Sequence, residues 1–78
     1  MSMIFKTTTH EAEIGQTEAR IARMLGMETE LSKDDVIDVL NHVTVRLAAK
    51  GDNDRYRRVA EVVAELKTWD DEIITVEL

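Results

Sequence analysis

Residues 32–50 read SKDDVIDVLNHVTVRLAAK, from Ser32 to Lys50, and they carry the strongest local structural signal in the chain. Ser32 is a good N-cap, because its hydroxyl can accept from an orphan N–H of a first helical turn. Asp35 sits where a capping box places a carboxylate that reaches back. Asp34 and Asp35 also fall where the helix dipole favours negative charge. Val36, Leu40, Val43 and Leu47 then recur at helical spacing and share one face, which Ile37, Thr44 and Ala48 widen. Lys50 and Gly51 supply the cation and the left-handed residue that helix ends favour. Six β-branched residues (Val36, Ile37, Val39, Val43, Thr44 and Val45) lower the intrinsic propensity. This helix therefore depends on packing, and the rest of the chain must supply the partner surface.

Working outward, Gly51–Asp54 is a turn, and a further helix runs from Asn53 or Asp54 to Trp69. Tyr56, Val59, Val63 and Leu66 form its apolar line. Trp69, one turn beyond Leu66, either closes the end of the core or anchors a partner. On the other side, Met27–Leu31 is a connector. Before it, a helix is expected from Thr9 or His10 to Leu25, with Ile14, Ile21 and Leu25 as its apolar line and Gly26 as its stop. Gly15 weakens the early part of that helix. Its start could therefore lie as late as Gly15 or Gln16, leaving Ala12–Ile14 extended. Met3–Thr9 and Glu72–Leu78 are strand candidates, the second with clear alternation of Ile74, Val76 and Leu78. The expected fold is mainly α within an α+β frame: three helices flanked by short terminal strands, in the order β-α-α-α-β.

With 78 residues, one domain (1–78) is expected. A chain of this size buries only about 60% of its unfolded surface. It has no cysteine, so neither a disulfide nor a thiolate zinc site can brace it. Self-association is a common remedy, and a homodimer is expected. Val39, Val45 and Val62 lie off the main helical stripes. They are either the edges of a wide core or a second apolar stripe that docks another chain.

Net charge is −6, and residues 51–78 hold eight acidic against four basic residues. This sign opposes direct binding to nucleic acid or to an anionic membrane. No apolar run approaches the roughly 20 residues of a membrane span. MSMIFKTTTH lacks the basic start and long apolar core of a secretory signal, so a cytoplasmic location is expected.

Chemical signatures are sparse. The two histidines, His10 and His42, are far apart and lack ligand spacing, so no metal or other cofactor is expected. No phosphate loop or nucleophile elbow occurs, and no carboxylate pair is singled out, so catalysis is not expected. Arg55, Arg57 and Arg58 form the densest basic spot. With His10 they could bind a small anion or nucleotide at an oligomer interface, or they could simply neutralise nearby acids. Thr17–Met27, TEARIARMLGM, resembles the first helix of a helix-turn-helix. The acidic start of the next helix (Asp34, Asp35, Asp38) and the long connector oppose DNA reading. In size and acidity the chain is similar to small inhibitor or accessory proteins carried by phages and mobile elements, a similarity of gross properties rather than motifs. The leading expectation is a non-enzymatic protein-interaction module. It would present Asp34, Asp35, Asp38, Asp70, Asp71 and Glu72, with Trp69, to a basic surface of a partner.

Overall fold

A computed structural model describes residues 2–15, 17–26 and 29–77, without the side chains of residues 18 and 19. It contains β1 (Met3–Lys6), β2 (Glu11–Ile14), α1 (Glu18–Met24), β3 (Glu30–Ser32), α2 (Lys33–Lys50), α3 (Asn53–Leu66) and β4 (Ile73–Glu77). The architecture is a mixed α+β fold, about half helical, with four antiparallel strands in an open sheet of order β2-β1-β4-β3. The expected β-α-α-α-β order is corrected on two counts, because it contains neither β2 nor β3.

The first correction concerns the helix expected from Thr9 or His10. Residues 7–10 instead turn the chain back on itself. The Thr7 N–H donates to the His10 carbonyl at 2.9 Å, and Thr7 Oγ1 accepts from the His10 N–H at 3.0 Å. Glu11–Ile14 then pairs with β1 in the register Phe5↔Ala12 and Met3↔Ile14. Alternation decides the outcome: Ala12 and Ile14 enter the core while Glu11 and Glu13 face solvent. The later start anticipated at Gly15 or Gln16 is nearer, but Gly15 is not helical, Gln16 lies outside the described residues and α1 begins at Glu18. The second correction concerns the connector. Glu30 and Leu31 from it, with Ser32, pair with Thr75–Ile73 of β4. Residues 27 and 28 lie outside the described residues, as does Leu78 at the end of the expected second strand.

α2 forms with the anticipated limits. Ser32 Oγ accepts from the Asp35 N–H at 3.2 Å, and Gly51 adopts φ 73°. Val36, Leu40, Val43 and Leu47 are all buried. α3 is capped by Asp52, whose carboxylate accepts from the Arg55 N–H at 3.2 Å. It ends at Leu66, three residues earlier than expected. Beyond that point the Trp69 N–H returns to the Leu66 carbonyl at 3.1 Å, which swings the indole into the core.

The helices cover one face of the sheet, and α2 against α3 is the most extensive element contact. Met3, Phe5, Ala12, Ile14, Ile74 and Val76 line the inner face, and they join Ile21, Val36, Leu40, Val59, Leu66 and Trp69 in one continuous core. The opposite face of the sheet is mostly polar. It carries Lys6, Glu11, Glu13, Thr75 and Glu77 together with Ile4 and Ile73, and Lys6 Nζ lies 3.5 Å from Glu77 Oε2. One-sided burial of this kind is what gives antiparallel strands their alternation. The radius of gyration, 11.5 Å, matches the roughly 11.5 Å of a compact unit of this length. Among the described residues, no helix is long and apolar enough to cross a membrane.

Candidate functional site

The two acidic segments of the sequence, 34–38 and 70–72, meet at one end of the molecule. α2 leaves directly from β3, so pairing of β3 with β4 carries the first turn of α2 to the start of β4. Lys33 ties this junction together. Its backbone N–H donates to the Glu72 carbonyl at 2.7 Å, and its ammonium donates to the Trp69 carbonyl at 2.7 Å. A shallow depression at the junction is lined by Ser32, Lys33, Asp34, Glu72 and Ile73.

Asp34, Asp35, Asp38, Asp70 and Glu72 are exposed, and Asp71 is half-buried. Ile73, with 57% of its surface exposed, lies beside Asp34 and Glu72 in this depression and borders a second one with Lys6, Asp71 and Glu77. The combination is an apolar residue flanked by carboxylates. Asp71 is partly engaged, with Oδ2 3.4 Å from His10 Nδ1. The His10 ring stacks on Trp69 at 5.0 Å between centroids and 24° between planes, and its Nδ1 also lies 2.8 Å from Thr9 Oγ1.

Several residues singled out from sequence fall elsewhere. Trp69 is 2% exposed, so it is a core residue and offers no surface to a partner. Val62 is likewise buried, and Val39 is half-buried against the core, because α2 and α3 present a wider apolar face than one stripe. Val45, 69% exposed, is all that remains of the anticipated docking stripe. The arginine set is divided. Arg55 and Arg58 line a cleft of about 470 Å³ with Gly15, Thr17, Asp52 and Asp54. Arg57 is exposed outside that cleft. His10 belongs to the Trp69 end, about 20 Å away along α3 at 1.5 Å per residue. Two carboxylates share the cleft, and Arg55 Nε lies 3.5 Å from Asp52 Oδ2, so local neutralisation occupies part of its charge.

The helix-turn-helix resemblance of residues 17–27 does not extend to the following element, because β3 intervenes between α1 and α2. His42 Nδ1 bonds the Asp38 carbonyl at 2.8 Å, one turn back on its own helix. No cluster of three or more potential metal ligands occurs among the described residues.

Ile73 and Lys33 were missed at the sequence level. The signal for Ile73 was present, since an isoleucine occupies the outward register of β4 beside Thr75 and Glu77. Lys33 gave no such signal, because its partners lie 36 and 39 residues away in sequence. Comparison with protein families, with curated proteins and with solved structures found no match for this chain.

Proposed function

We propose that the protein is a non-enzymatic interaction module that docks its acidic end onto a basic surface of a partner protein. The supporting observation is that β3–β4 pairing and the Lys33 contacts bring Asp34 and Glu72 beside the exposed Ile73, with Asp71 on its other side. Carboxylates so placed steer and orient a cationic partner, while the apolar residue between them supplies desolvated contact. Occupying a partner's cationic groove in this way would block other polyanions from it, which is the action of an inhibitor or regulator.

The test is affinity capture from native lysate at low and at raised salt, alongside an Asp34→Lys/Glu72→Lys variant. A partner retained by the wild type, and lost both with salt and with charge reversal, supports the reading. Partners that stay bound through raised salt and through charge reversal contradict its electrostatic basis.

A further inference from the structure

A second charged feature lies far from the acidic end. α1 packs beside the C-terminal half of α2, and the groove between them is lined by Arg20, Arg23, Met24, Arg46, Ala49 and Lys50. Its volume is about 550 Å³. It gathers four of the ten basic residues of an acidic chain. Among the described residues, none of the four has an acidic group within 4.0 Å.

Helix dipoles account for part of this arrangement. Arg23 and Lys50 lie in the last turns of α1 and α2, where cations are favoured. They do not account for Arg20 and Arg46, each a turn earlier. Arg20 with Arg23, and Arg46 with Lys50, are like-charge pairs at i,i+3 and i,i+4, which weaken a helix. Two such pairs face one groove, with no acidic group within 4.0 Å of them among the described residues, and an anion between them would relieve their mutual repulsion.

We propose that this α1–α2 groove is a binding site for phosphate groups, as carried by a nucleotide polyphosphate or a single-stranded nucleic-acid backbone. Three of the four cations are arginines, whose planar forks match phosphate oxygens in bidentate fashion. They project from two helices, so one phosphate can be gripped from both walls. Met24, 42% exposed, and Ala49 add apolar lining on which a sugar or base can rest.

The test is titration of the full chain with sodium tripolyphosphate, with a thymidine oligonucleotide and with poly-glutamate, followed by amide NMR and calorimetry. The expected result is saturable binding of at least one phosphate probe, with shifts confined to residues 20–25 and 45–50. Affinity should fall at least about tenfold in Arg46→Gln/Lys50→Gln, as two charge-assisted contacts are lost. If tripolyphosphate binds more tightly, the free polyphosphate is the source. If the oligonucleotide binds more tightly, with a log–log salt slope near −2 to −3 for three or four contacts, the backbone is the source. Arg20→Gln/Arg23→Gln should give the same loss from the opposite wall, which keeps the test valid if one double variant fails to fold. No binding of either phosphate probe at millimolar concentration, undiminished binding in a folded double variant, or equal affinity for poly-glutamate would overturn the assignment.

Discussion

Lys33→Met isolates the contact that fixes the acidic end. Methionine keeps most of the aliphatic stem and removes the ammonium that donates to the Trp69 carbonyl at 2.7 Å. A hydrogen bond with a charged donor contributes about 1.5–3 kcal/mol when fully buried. Lys33 is half-buried, so water recovers part of that loss, and about 1–1.5 kcal/mol of destabilisation is expected. With a urea m-value near 1 kcal/mol/M for a small domain, the midpoint should fall by roughly 1–1.5 M. In a thermal melt the same change lowers Tm by about 4–12 °C. Lys67→Met is the control, since Lys67 is exposed, and its effect should stay within about 0.5 kcal/mol. Urea titration followed by far-UV circular dichroism reads both. If Lys33→Met and Lys67→Met had equal midpoints, the Lys33 contact would not brace the junction.

Other substitutions probe the fold and the acidic end separately. Leu40 has no exposed surface, so Leu40→Ala should destabilise by about 2–5 kcal/mol. A domain of this size has only about 4–12 kcal/mol to lose, and a folded variant with an unchanged melt would contradict the core assignment. Gly51 has φ 73° with open space around its Cα. Gly51→Ala should therefore destabilise by about 1–2 kcal/mol through backbone strain alone, and Gly51→Asn by less. Equal melts for the two would refute that cause. Ile73→Lys changes an exposed position, so stability should move by no more than about 0.5 kcal/mol. Capture of a basic partner should nevertheless be lost, and retention of the partner would remove Ile73 from the docking surface.

The parts of the fold that were legible in the sequence are those whose signals are local. α2 announces itself through Ser32, its apolar line and Gly51, and each plays the expected part. α3 was legible to Leu66, but the exit of Trp69 from the helix was not, because it is set by the core that the indole fills. Glu11–Ile14 carries a period-two pattern that was visible. The carboxylates at 11 and 13 also suit a helix's first turn, and only pairing with β1 resolves the two. β3 is three residues long and exists through β4, more than 40 residues later. For the acidic end, the residues were readable but their union was not. Nothing local in 34–38 or 70–72 shows that the sheet brings them together. The basic groove escaped notice for the same reason, since its two pairs of cations come from different helices.

Pairing of β3 with β4 is the step on which the acidic end depends, and two-dimensional NMR tests it directly. The expected spectrum contains cross-strand contacts between residues 30–32 and 73–75, with a Lys33 amide that exchanges slowly because it is bonded to Glu72. Helical sequential contacts through residues 11–14, with no cross-strand contacts from 30–32 and a fast-exchanging Lys33 amide, would contradict the account.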